Sequence, residues 1–353
     1  MFGEGYKILF PNIYGDSNIF ISKFDGTDIK PVTTGLNGCN YLEDVSPDGR
    51  QILFVSFPLK VNGDFSNAGN LYTLDLGSTD PQPRKIASLV NGAAWLDNSR
   101  VVYIGMFGGH QGLFAVNTDG TNFQSISKLD EGEVAIRIFS ATATEIIWMS
   151  HNLQINYLFT FWRSNSDGSS QIKLGTNVEN FEEPAMSQDG KLFAWWTRGT
   201  SAVHYASPDN IASSHDIQLP EVRRYLVFPS PDGSKILIYD SPDINGINET
   251  AVCYLHNVKT SSLVKCPIAP PRTDDLVENI SHADWSPDSR MVILENEIID
   301  KARKSVVGVV NRLLNVETLT FMDNFLNHLT LKGSSPDLIQ LIASPIWLPI
   351  QNK

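Results

Sequence analysis

Histidine offers this chain its widest range of acid–base and metal chemistry. Its seven histidines fall singly, at His110, His151, His204, His215, His256, His282 and His328. No HExxH pair occurs, so spacing alone gives no metal site. The one route to a ligand cluster would gather His110, His151 and His282 from distant segments. Asp-Gly pairs recur, but each brings a single carboxylate, too few oxygens for a calcium cage. There is no Walker loop and no GxSxG nucleophile elbow, and the FGEGYK stretch near the start is a bare GxG that opens no helix. No metal and no cofactor are expected.

Three cysteines are too few for a disulfide scaffold, and no CxxC is present. One pair is suggestive. In CYLHNVKTSSLVKC, a hairpin centred on Lys259 and Thr260 would set Cys253 opposite Cys266. The pair reads either as two half-buried free thiols or as a cross-strand bridge, and a bridge would point to an oxidising compartment. The 39 acidic against 27 basic residues give a net charge of −12, with no basic run, which argues against nucleic acid as a partner. No apolar run is long enough to span a membrane. The opening MFGEGYKILF lacks the basic and apolar regions of a leader, which fits either a cytoplasmic protein or one whose leader was trimmed.

Whatever chemistry the chain performs must be positioned by a repeat. VSPDGRQILF at Val45 recurs as PSPDGSKILIY at Pro229, MSQDGKLFAWW at Met186 and WSPDSRMVIL at Trp285. Serine can accept a backbone bond at the first corner, proline presets the next dihedral, aspartate tolerates the third position, and glycine suits an exit at positive φ. Aligned on that serine, the motif falls at Ser46, Leu96, Ser140, Ser187, Ser230, Ser286 and Leu348. The preceding residue is apolar each time: Val45, Trp95, Phe139, Met186, Pro229, Trp285 and Trp347. A second turn, KFDGTDIK, NTDGTNFQ or NSDGSSQI, falls in the other half of the unit. An apolar slot every 40-odd residues is the signature of stacked units. Each unit reads as four antiparallel strands, A to D, with the SPDG turn joining A to B. One short helix is expected over 323–331.

Residues 6–33 supply strands B, C and D with no A before them, and 342–349 supply an A with no B after it. The expected fold is therefore all-β: a single seven-bladed β-propeller over residues 1–353, closed when the C-terminal strand completes the N-terminal blade. The SPDG turns after an apolar or aromatic residue, with the DGT hairpins, resemble the TolB-like β-propeller repeats. That resemblance covers nearly the whole chain as a repeat and specifies no activity. It implies a periplasmic or secreted protein. Oligogalacturonate lyases and the propellers of prolyl-oligopeptidase-like hydrolases are also similar, but no matching histidine cluster or hydrolase domain is visible.

Antiparallel order puts the SPDG and DGT turns at one end of each blade and the B–C and D–A connections at the other. The long connections, 56–70, 105–112, 241–250, 267–281 and 323–341, make the second end the expected functional face. Tyr41, Glu43, Arg137, Glu182, Glu183, Arg224 and His282, near the starts of A strands, are candidates for a polar ligand site at a channel rim; they equally suit a wet channel wall. Phe57, Phe65 and Phe107, with His110, form either a partner-binding patch or plugs folded between loops. The expected function is non-catalytic binding of a protein, or of a small or oligomeric ligand, through the loop-rich face. The alternative is a channel-mouth polysaccharide lyase or hydrolase assembled from several blades.

Overall fold

The computed structural model describes the chain except residues 1–5, 12–17, 24–26, 35–37, 59–67, 156–158, 177–180, 241–251, 267–275, 301, 303–304, 323–345 and 350–353. The helix expected over 323–331 lies outside the described residues. Strands dominate, and the one helical element among the described residues is a 3-10 turn, Pro208–Ser213. It falls in the ASPDN stretch that reads as plain loop in the sequence. Ser207 caps its first turn and proline opens it.

Strands assemble into antiparallel sheets in chain order. Glu133–Thr176, Phe181–Gln218, Tyr225–Lys265 and Leu276–Met322 each give a four-stranded sheet. Ile346–Pro349, Tyr6–Pro11, Ile19–Lys23 and Lys30–Pro31 form another, in that order. The remaining sheet has seven strands, because strand D of one repeat runs straight into strand A of the next. Arg84–Trp95 is that shared strand: residues 84–90 pair with Gly69–Asp75 and residues 90–95 with Arg100–Phe107. The change of partner occurs at Leu89, held at φ 59°, beside a bulge between Val90 and Gly92.

The chain divides into two compact units, residues 1–22, 29–179 and 348–353, and residues 23–28 and 180–347. In both, the B strands explain the continuous apolar runs. Ile52–Ser56, Val101–Ile104 and Ile236–Asp240 are buried at every position, because these strands are covered on both sheet faces. Outer strands are more exposed, as in Ser262–Lys265, where only Leu263 is half-buried against the core. In the first unit, Leu53, Val55 and Leu71 pack against Val101, Tyr103 and Phe114 of the next repeat. In the second, Trp196, Val203 and Tyr205 pack against Tyr225, Ile236 and Tyr254 in the same way.

The SPDG turn proves to be a hydrogen-bonded hub. Buried Ser46 donates from Oγ to Asp48 Oδ1 (2.7 Å) and accepts from the N–H groups of Arg50 (3.2 Å) and Gln51 (2.9 Å). Gly49 closes the turn at φ 68°. Ser187, Ser230 and Ser286 repeat the arrangement, and Ser289 takes the glycine position at φ 57°. At Leu96, which has no hydroxyl, the hub moves to Asp97, which accepts from Ser99 and Arg100. In the third repeat the corner is Thr142, not Ser140 as the alignment had it, because Ala141 pairs with Ile146 there, and Thr142 accepts from Glu145. Burial opposes ionisation of Asp232, yet the bonds from Ser234 and Ser230 hold its carboxyl down to about 2.

These turns also join one repeat to the next. The N–H of Asp48 donates to Asn98 Oδ1 (3.0 Å), that of Asp189 to the Pro231 carbonyl (3.1 Å), and that of Asp232 to Ser289 Oγ (3.3 Å). The DGT turns do the same at the outer strands. Arg84 reaches the Asp119 carbonyl (3.2 Å) and Gln124 the Asp167 carbonyl (2.6 Å). The aromatic slot before the serine has a matching role. Trp285 Nε1 donates to the Phe228 carbonyl (3.0 Å) and Trp347 Nε1 to the Asp284 carbonyl (3.2 Å). In both cases an indole crosses to the inner strand of the preceding repeat, two residues before its serine.

Candidate functional site

The expected rim residues divide between the two units. In the first, Tyr41 is exposed and meets Phe57 edge-on, ring centroids 5.5 Å apart. Arg137 is exposed, with its guanidinium 5.3 Å above the Phe139 ring. Glu43 sits at a bulge between Leu42 and Asp44. The bulge turns Glu43 and Asp44 toward the inner strand of the following repeat, and each carboxylate accepts a backbone N–H there. Glu43 Oε2 takes Ala93 (3.1 Å) and Asp44 Oδ2 takes Trp95 (3.0 Å), while Asp44 Oδ1 takes its own neighbour Val45 (2.8 Å). Burial pushes the Glu43 carboxyl up to about 7, against the Ala93 bond and with help from the neighbouring Asp44 charge. Burial likewise lifts Asp44 to about 6, against its two backbone bonds.

Asp44 escaped the sequence reading, although the repeat contained the signal. Asp44 and Asp284 stand at the same position, two before the serine, and Asp284 Oδ2 accepts from the Trp347 N–H (3.4 Å) as Asp44 does from Trp95. The two acids occupy one structural slot: each accepts a backbone N–H from the inner strand that follows.

In the second unit, Glu182 lies opposite Trp196, and a bulge between Glu182 and Ala185 contains Glu183. Arg224 is exposed; its neighbour Arg223 makes the buried contact, with Nη1 2.5 Å from Asp240 Oδ2 and Nε 2.6 Å from Glu221 Oε2. Two carboxylates commit that guanidinium and hold its proton firmly despite burial. His282 is half-buried opposite Glu295.

Of the aromatic loop residues, Phe65 lies outside the described residues. Phe107 ends a B strand at a Gly108–Gly109 turn, both glycines at positive φ, and His110 opens the return strand, exposed. Phe107 folds back along its own sheet, 6.1 Å from Phe114 and 4.5 Å from Phe123. At the cross-strand pair Gly105 and Gly112, a Cβ on Gly105 would stand 2.9 Å from the Tyr103 ring, and one on Gly112 would stand 2.9 Å from Ser127 Oγ and 3.3 Å from Phe114, so these glycines leave space for the Tyr103 and Phe114 rings. The outer side of the cluster stays open, with Phe107 60% and Phe123 41% exposed.

The histidines are mostly packing residues. His151 stacks on Phe159, His215 on Tyr205 and His204 on Trp195, and His256 is buried against Tyr205. His204 Nδ1 is also 2.7 Å from Asp216 Oδ1. Among the described residues no three His, Cys, Asp or Glu side chains are grouped to hold a metal. Among them, too, no helix is long and apolar enough to cross a membrane. Cys253 and Cys266 are unbridged thiols, buried side by side, with the Cys266 N–H donating to the Cys253 carbonyl (2.8 Å).

No protein-family model and no curated protein matches the chain. Solved structures do. The periplasmic gluconolactonase of Pseudomonas aeruginosa is 10% identical, with 98% of this chain and 99% of that chain covered at a TM-score of 0.56. An oligogalacturonate lyase in complex with manganese is 12% identical over 95% of this chain and 89% of that one, with a TM-score of 0.58. The β-propeller domain of the trilobed protease from Pyrococcus furiosus is 9% identical over 80% and 84%, with a TM-score of 0.52. TolB proteins are also similar, at TM-scores of 0.48 and 0.45. At such identities the likeness is one of fold, and that fold is a β-propeller.

Proposed function

We propose that this chain is a seven-bladed propeller, closed by its own C-terminal strand, that binds a protein partner or an oligomeric ligand through the B–C and D–A ends of its blades and catalyses no reaction. It works outside the cytoplasm, where the gluconolactonase of similar fold is found. The observation that carries the reading is the contrast between the two ends of the strand Arg100–Phe107. At one end, the turn after Leu96 is closed on Asp97, and Asn98 is bonded to the preceding turn. At the other, Phe107 presents an open aromatic surface beside its cross-strand partner His110. Exposed aromatics on a rigid frame suit partner binding.

Glu43 is the residue an enzyme reading would turn to, because a carboxyl near 7 suits acid–base work. Its Oε2 is already committed to the Ala93 N–H, which accounts for its position without a substrate. Recovery of a partner by crosslinking from the native source tests the binding reading. Phe107→Ser, or trimming of the connection between the ends of the paired strands, Phe57 and Gly69, should abolish that recovery while the chain still folds cooperatively. Undiminished recovery by both variants would refute it. A transition metal bound one per chain through two or more histidines would favour the enzyme.

A further inference from the structure

Cys253 opens the strand Cys253–Asn257, and Cys266 follows the last residue of Ser262–Lys265. The register of these strands runs Asn257↔Ser262 to Tyr254↔Lys265, and its next step sets the two cysteines opposite each other. The 2.8 Å bond from the Cys266 N–H to the Cys253 carbonyl makes them a hydrogen-bonded antiparallel pair. Such a pair has Cα atoms about 5.5 Å apart, inside the roughly 4.4–6.8 Å range of disulfides. Both side chains leave the same sheet face, enter the apolar cluster of Leu237, Tyr239, Ile280 and Trp285, and are hydrogen-bonded to each other. The third cysteine, Cys39, lies in the first unit beside Tyr41.

We infer that Cys253 and Cys266 are a redox modification site, in which a disulfide oxidant converts the two thiols into an intrachain bridge across the outer hairpin of this sheet. A thiolate of the pair attacks the sulfur–sulfur bond of a small disulfide such as oxidised glutathione. One glutathione leaves, and the other remains as a mixed disulfide. The second cysteine attacks the protein-side sulfur and releases the second glutathione. The protein loses two electrons and two protons, and the oxidant gains them as two thiols. Burial, reinforced by Cys266, pushes the Cys253 thiol well above its ordinary value, so the closed hairpin reacts slowly. Access comes by fraying of Ser262–Lys265, the outermost strand of its sheet, where all four residues keep some exposure. By chain position the pair stands where two long connections, 241–251 and 267–275, join the hairpin, so a bridge ties their roots together.

The test uses the full chain, reduced and then incubated with oxidised glutathione, followed by alkylation under denaturing conditions, intact mass and non-reducing peptide mapping. Oxidation should lower the mass by two hydrogens, leave one alkylatable thiol of the three, yield a Cys253–Cys266 linked peptide, and reverse with dithiothreitol. Cys39→Ser should form the bridge to the same extent. Full alkylation of all three cysteines, glutathione adducts that never resolve, or a bridge that includes Cys39 would each overturn the inference.

Discussion

Replacing Glu43 with glutamine removes a charge from a site that pays for it only when ionised. The carboxyl sits near 7 in the folded chain against an ordinary value of 4.5, so folding favours its protonated form. Its contribution to stability is fully present below pH 4.5 and is lost as the pH rises through 7. The shift corresponds to about 3 kcal/mol, since each pKa unit is about 1.4 kcal/mol. Glutamine keeps an oxygen that can accept the Ala93 N–H at the same distance and carries no charge to desolvate. Relative to the parent, Glu43→Gln should therefore gain stability steadily between pH 4.5 and 8. For a chain of this length, 3 kcal/mol is about 4 °C in unfolding midpoint. Thermal unfolding of both proteins at half-unit pH steps measures the difference directly. Repulsion from the neighbouring Asp44 charge is already part of that shift, and the variant relieves it together with the burial of the charge. A difference between the two proteins that stays flat across that pH range would refute the assignment of burial as the cause.

Two further comparisons probe the links between repeats. Trp285→Phe leaves the Phe228 carbonyl without its indole donor, whereas the Trp95 indole has no partner among the described residues, so Trp285→Phe should cost about 1–2 kcal/mol more than Trp95→Phe in denaturant unfolding. Gly120 and Gly168 close equivalent DGT turns at φ 82° and 77°. A Cβ at Gly120 meets open space, while one at Gly168 stands 2.7 Å from the Ile126 carbonyl oxygen of the neighbouring repeat. Gly120→Ala should then cost about 1 kcal/mol for its left-handed backbone, and Gly168→Ala about twice that or more. Equal losses would mean that the outer turns do not touch across repeats.

The repeat, the strand order within it and the chemistry of its turns were legible in the sequence because each is decided within a few residues. A serine, an aspartate and a glycine at fixed spacing close the same hub wherever they occur, and a fully apolar run marks a strand covered on both faces. The slot for tryptophan was visible as a pattern, but its purpose was not, because the carbonyl it meets belongs to a strand 57 or 63 residues away. The same holds for Glu43 and Asp44. Their composition says only that they are acids; burial beside a neighbouring strand's edge, 50 and 51 residues on, raises their proton affinity. Phe107 reads equally as part of a partner-binding patch or as an inward plug, and only the fold shows its ring lying against Phe114 and Phe123. Cys253 and Cys266 needed only a hairpin register, which is local, and so the sequence already placed them opposite each other. Hairpin registers and turns are set by contacts between near neighbours along the chain. Burial, shifted acidity and the fit of one repeat on the next depend on atoms that only folding brings together.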